Sequence, residues 1–177
     1  MNERVILSGF GGQGILVMGN VLAHAAMEEG LEVTFFPSYG AEMRGGTANC
    51  SVIISDKKIG SPVVSEPDTL IAMNQPSIER FSSRVKKGGL IIVNSSLVTR
   101  PVLRKDVRVV KIEGSAIAER IGNVRTANMV VLGSYMRHRK IMPVKRAVDS
   151  LAVVFDRKRN LIDINTKALT EGAKEKC

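Results

Sequence analysis

The sequence predicts one α/β domain, with a mostly parallel sheet, helices on both faces and an antiparallel hairpin. Three observations lead there. Short apolar runs of strand length alternate with amphipathic stretches of helix length. A glycine-rich turn joins the first run to the first amphipathic stretch. At 177 residues the chain can bury one full core and is short for two.

Val5–Ser8 reads as a buried strand, followed by Gly9-Phe10-Gly11-Gly12-Gln13-Gly14. From Gln13 to Glu29, Ile15, Met18, Leu22, Ala25 and Ala26 recur at helical spacing, and Gly30 stops the helix. Val33–Phe36 is a second strand closed by Pro37. Together these make a βαβ unit, whose crossover is expected to be right-handed. Thr47–Ser55 alternates as a strand, and Asp56-Lys57-Lys58 reads as a hairpin turn into Ile59. Thr69–Met73 is a buried strand introduced by Pro67-Asp68. Pro76–Val85 is a helix with Asn74 or Gln75 at its cap. Leu90–Val93 and Val107–Ile112 are further strands. Helices follow over Ser115–Ile121, Thr126–Arg139, Pro143–Val154 and Asn160–Lys174. The core is expected over 4–155, with a closing helix over 157–175.

Composition narrows the function. No apolar run approaches the ~20 residues of a membrane span. The glycine turn interrupts the first apolar run, so the N-terminus does not fit an export signal, and a cytoplasmic location with no membrane partner is expected. Cys50 and Cys177 are the only cysteines. Two thiols cannot ligate a four-thiolate iron–sulfur cluster, and no CxxC spacing exists, so no metal site is expected. Cys50 falls inside a strand pattern and reads as a buried, inert thiol. Charge is uneven: residues 1–99 carry 8 basic and 9 acidic side chains, residues 100–177 carry 18 and 8. A basic half suits a phosphate-bearing ligand or an acidic docking partner. With no Trp and two Tyr, and no nucleic-acid-binding signature, a nucleic-acid partner is not expected.

The glycine loop leaves backbone N–H groups uncovered at the positive end of a helix, which suits phosphate or carboxylate. Gly9, Gly11 and Gly14 fit the dinucleotide fingerprint. Yet the second strand ends Phe35-Phe36-Pro37-Ser38, with no acidic residue for a ribose and no Arg for a 2′-phosphate. A free-standing dinucleotide-dependent reductase is therefore the weaker alternative. His24 falls mid-helix and His138 lies in the basic run His138-Arg139-Lys140, and both read as structural or solvated. No nucleophile elbow and no zinc-protease motif is present, so no catalytic residue is assigned. The segment Pro37-Ser38-Tyr39-Gly40-Ala41-Glu42-Met43-Arg44-Gly45-Gly46 follows the second strand, at the carboxyl edge where ligands bind open α/β sheets. Arg44 offers a donor fork for phosphate or carboxylate. Tyr, Met and Arg are also what interface cores favour.

These two segments, with Pro67-Asp68 and Arg125-Thr126-Ala127-Asn128-Met129, resemble the gamma subunit of 2-oxoacid:ferredoxin oxidoreductases. The likeness runs from the first strand to about residue 155. The form Ser38–Gly46 is more similar to the 2-oxoglutarate or branched-chain members, with the indolepyruvate enzyme as a related variant. The resemblance implies a Rossmann-like domain in a heteromeric complex with alpha, beta and delta-type subunits. That complex oxidatively decarboxylates a 2-oxoacid, 2-oxoglutarate being favoured, forms acyl-CoA and passes electrons to ferredoxin. Thiamine diphosphate and [4Fe–4S] clusters are then held by the partner subunits, and this chain aids CoA binding and assembly. The expected binding residues are Gly9, Gly11, Gly12, Gln13, Gly14, Tyr39, Glu42, Arg44, Gly45 and Gly46. A homodimer of the isolated chain is left open.

Overall fold

The computed structural model describes residues 1–38 and 46–175. Six strands form one sheet: β1 (Asn2–Phe10), β2 (Glu32–Ser38), β3 (Thr47–Ser55), β4 (Thr69–Ala72), β5 (Leu90–Asn94) and β6 (Arg108–Ile112). Their order is β2-β3-β1-β4-β5-β6. The pairings β1–β4, β4–β5 and β5–β6 are parallel, whereas β3 runs antiparallel to both neighbours, β1 and β2. Five strands thus point one way and β3 alone points back.

β1, α1 and β2 form the expected βαβ unit, its two strands parallel and β3 inserted between them. One expectation is corrected. Asp56–Lys58 does not turn into a paired strand; the segment from Asp56 to Asp68 has no strand. The antiparallel pair consecutive in the chain is β2–β3, with Ser38 opposite Asn49 and Glu32 opposite Ser55. Asp56 instead meets the N-terminal amine at 2.5 Å, a partner that local turn chemistry does not reveal.

The helices are α1 (Ile15–Glu28), α2 (Gln75–Phe81), α3 (Gly114–Ile121), α4 (Ala127–Arg139), α5 (Val144–Val154) and α6 (Ile162–Lys174). All but α2 gather on one face. Alternation along each strand sends Val5, Leu7, Cys50, Val52, Ile71, Ile92 and Val110 towards them. The intervening residues Ile6, Ile53, Leu70, Ile91 and Val93 face α2, where Ile78 and Phe81 cover them. Asn74 caps α2 as one of the two expected caps, its Oδ1 accepting from Ser77 N–H at 3.0 Å. Cys50 is 1% exposed, as expected for an inert thiol.

The closing helix is part of the core. Ala168 and Leu169 are fully buried. A Cβ on Gly172 would sit 1.8 Å from the Val130 carbonyl oxygen, so α4 and α6 cross with backbones almost in contact. At the end of α4, Arg139 binds the buried Glu3 carboxylate of β1, which Thr69 Oγ1 also reaches at 2.7 Å. That pair ties the last turn of α4 to the amino-terminal edge of the sheet. The glycine turn leaves β1 at the other, carboxyl edge.

Candidate functional site

The turn after β1 is built so that backbone, not side chain, lines it. Gln13 N–H donates to Phe10 O at 3.1 Å. Gly12 (φ +92°) and Gly14 (φ +70°) both take left-handed backbone, which an L side chain adopts at a cost of roughly 1–2 kcal/mol. Gly14 is the N-cap of α1 and supplies no side-chain hydrogen bond. The N–H groups of Ile15, Leu16 and Val17 therefore find no acceptor among the described residues. Gly9 meets a different demand, because a Cβ there would lie 2.6 Å from the Ile15 side chain and 2.9 Å from Met73 Cβ.

Polar side chains brace the turn from below. Gln13 Oε1 accepts from Phe10 N–H at 2.6 Å and from Asn74 Nδ2 at 3.5 Å. Asn74 Oδ1 in turn accepts from Ser77 Oγ, which also meets Ser8 Oγ at 2.9 Å. Gln13 thus holds the loop's shape rather than reaching outward. From α4, Asn128 Nδ2 donates to Gly14 O at 3.0 Å. Asn128 was not among the expected binding residues. Its signal was the segment Arg125–Met129, which gains a physical role here as the clamp on the turn.

The second segment meets the first at the same edge. Phe10 lies opposite Thr47 in the β1–β3 ladder, and Gly11 N–H donates to Gly46 O at 3.2 Å. Between them opens a cavity of about 360 Å³, lined by Phe10, Gly11, Gly12, Gly14, the first turn of α1, Gly46, Thr47 and Ala48. Its walls combine apolar side chains with the free N–H groups of α1, where the positive end of the helix dipole attracts an anion. Arg80 of α2 does not line the cavity but holds one residue that does, its Nη1 donating to Thr47 Oγ1 at 3.0 Å. Nothing in the sequence pattern singled out Arg80. Tyr39, Glu42, Arg44 and Gly45 lie outside the described residues. Gly9, Gly11, Gly12, Gln13, Gly14 and Gly46 are gathered at this one edge.

The sheet order weakens the dinucleotide reading further. In a dinucleotide fold the ribose-binding carboxylate ends the strand beside β1. Here that neighbour is β3, entering antiparallel at Thr47, and β2 ends one strand further out. Cys50 cannot supply a nucleophile: burial pushes its thiol up to about 12, and its Sγ rests 3.7 Å from Ile15 O. His24 sits partly buried on α1. Among the described residues no three His, Cys, Asp or Glu side chains gather as metal ligands.

Over 172 residues the chain is 40% identical to ketoisovalerate oxidoreductase subunit VorA of Methanothermobacter marburgensis, covering 96% of this chain but 36% of that relative. The chain thus spans little more than a third of the length of the curated relatives it matches first. The gamma subunit of a keto/oxoacid ferredoxin oxidoreductase from Geobacter sulfurreducens superposes with a TM-score of 0.82 at 29% identity, over 96% of this chain and 95% of that one. A 2-oxoglutarate:ferredoxin oxidoreductase from Magnetococcus marinus, solved with 2-oxoglutarate, coenzyme A and succinyl-CoA, superposes with a TM-score of 0.87 at 25% identity. That match covers 97% of this chain and 30% of the other. The profile of the pyruvate ferredoxin/flavodoxin oxidoreductase family matches residues 4–175, so the fold, the paired loops and the relatives converge: the chain belongs to that family.

Proposed function

We propose that this chain is the gamma-type subunit of a multi-subunit 2-oxoacid:ferredoxin oxidoreductase, and that its glycine-loop cavity takes part in receiving coenzyme A. The observation that carries the reading is the meeting of the two motif segments around one cavity: Gly11 N–H on Gly46 O, with the free N–H groups of α1 beside them. A pocket that pairs apolar walls with an anion-attracting helix end suits a ligand having both an apolar arm and phosphates. The Magnetococcus marinus neighbour, with coenzyme A in its structure, supports the same ligand. Arg44, by its residue type and its place in the second motif, is assigned to a phosphate or carboxylate of that ligand.

The chain itself contributes binding and assembly, not the chemical step. Thiamine diphosphate and the [4Fe–4S] clusters are assigned to alpha, beta and delta-type partner subunits, from which electrons pass to ferredoxin. Two cysteines in the whole chain are too few for a four-thiolate cluster. The ketoisovalerate and 2-oxoglutarate relatives support a 2-oxoacid of one of these two kinds, with the choice made on partner chains. No helix among the described residues is long and apolar enough to cross a membrane.

The test is the assembled enzyme, recovered anaerobically with this chain tagged, assayed with 2-oxoglutarate, ketoisovalerate and indolepyruvate. Arg44→Ala is expected to raise the KM for coenzyme A several-fold and leave the KM for the 2-oxoacid unchanged. Unchanged coenzyme A kinetics would remove Arg44 from the site. Recovery of the chain without any thiamine-binding partner would overturn the subunit assignment.

A further inference from the structure

A second cavity, of about 400 Å³, is lined by Arg108, Arg137, His138 and Lys140. Arg108 begins β6, and the other three belong to the last turn and C-cap of α4. This is the amino-terminal edge of the sheet, where Arg139 meets Glu3. Seven strand steps separate Glu3 from Phe10 at the glycine turn, a span of roughly 23 Å. The two cavities cannot share one small ligand.

Three full positive charges converge here. Among the described residues none of Arg108, Arg137 and Lys140 forms an ion pair with a carboxylate. Arg137 Nη1 donates to Ala173 O at 3.4 Å, near Glu175, while three other acids of the adjoining segments are committed elsewhere. Both oxygens of Asp106 are held by Arg104 at 2.6 and 2.7 Å, Glu171 holds Lys174 at 2.9 Å, and Glu3 holds Arg139. The α4 C-terminus itself offers only about half a negative charge. Arg108 Nη2 lies 2.8 Å from His138 Nδ1. A guanidinium can only donate, so Nδ1 accepts and the neutral ring carries its proton on Nε2. Burial, then the charges of Arg108, Arg137 and Lys140, hold the imidazole below its ordinary value. His138 therefore orients the Arg108 fork without adding or cancelling charge.

We propose that Arg108, Arg137 and Lys140, with Arg108 positioned by His138, form a binding site for an oxyanion of the phosphate class. Guanidinium forks recognise phosphate oxygens in pairs, and a lysine adds a point charge. This site is independent of the coenzyme A reading and stands or falls without it.

The chain has two histidines, so His138 can be followed by NMR with His24 as its internal control. Inorganic phosphate is titrated into the full chain against chloride of matched ionic strength. A bound phosphate cancels the field of the three cations, so the His138 titration midpoint is expected to rise while His24 stays. Arg137→Gln and Lys140→Gln, both at exposed positions, are expected to weaken phosphate binding roughly threefold or more. A His138 midpoint that does not move, or moves equally in chloride, overturns the proposal. Binding of a nucleoside 3′-monophosphate equal to that of phosphate identifies a free anion, and tighter binding identifies the phosphate of a larger ligand.

Discussion

Asn128 Nδ2 donates to the Gly14 carbonyl at 3.0 Å across 114 residues of chain. The same nitrogen lies 2.4 Å from where a Cβ on Gly14 would stand. The turn that opens the candidate site is thus held by a side chain that also forbids any enlargement of it. Gly14→Ala is expected to destabilise by about 1–2 kcal/mol from the left-handed backbone, and by more from the collision. Asn128→Ala alone removes one neutral hydrogen bond, worth about 1 kcal/mol. Because Asn128→Ala also clears the space, the double variant is expected to be less destabilised than the two losses added. Denaturant unfolding of all four proteins measures this coupling.

Gly12 gives a contrasting case. It is at φ +92°, but nothing lies within 4 Å of an added Cβ. Gly12→Val is expected to cost about 1–3 kcal/mol from backbone strain alone. Gly12→Asn is expected to cost less, since Asn tolerates this region. In the assembled enzyme, Gly12→Val places a branched side chain at the cavity and is expected to raise the coenzyme A KM. Equal melting temperatures for the Val and Asn variants would contradict the strain argument.

Gly172→Ala tests the crossing of α4 and α6. An added methyl meets the Val130 backbone carbonyl at 1.8 Å, and backbone cannot rotate out of the way. The variant is expected to lose about 1–3 kcal/mol or more by overpacking. Limited proteolysis should cut before α6 much faster than in the parent chain. An unchanged cleavage pattern would mean that the two helices can part without loss.

Cys50 carries a pH signature. Its thiol titrates near 12 in the folded chain against an ordinary value of 9.0. Below pH 9 both states keep the proton, and its contribution to stability is constant. Between about 9 and 12 the unfolded chain releases the proton while the folded chain keeps it, so stability falls as pH rises. Alkylation of Cys50 by iodoacetamide at pH 8, followed by peptide mapping, is expected to be negligible until the chain unfolds. Rapid labelling in the native state would refute the buried environment.

The sequence carried much of this architecture because the informative residues act locally. Gly12 and Gly14 mark a turn by their own backbone freedom. Asn74 announces a helix start through a bond three residues away. The unbroken apolar run Val5-Ile6-Leu7 already marks a strand buried on both faces. What escaped was set by partners distant in the chain. The Asp56-Lys57-Lys58 run has turn composition, yet its carboxylate is taken by the N-terminal amine. The insertion of β3 between β1 and β2 depends on cross-strand pairing, which alternation alone cannot order. Arg80 reaches Thr47 from an unremarkable position on α2. The basic bias of the second half was plain, but only folding brings Arg108 to the end of α4.

The reversal of β3 has a consequence for how such a site can diversify. Ser38 is fixed opposite Asn49, and Thr47 opposite Phe10, so the chain leaves and re-enters the sheet at two adjacent, firmly registered points. Positions 39–45 are therefore bounded in the chain by two anchors of set register. Substitution, or even a change of length, in that stretch need not disturb the register of any strand. Sequence change between the two anchors can accordingly accumulate while the pairing of the sheet is inherited unchanged.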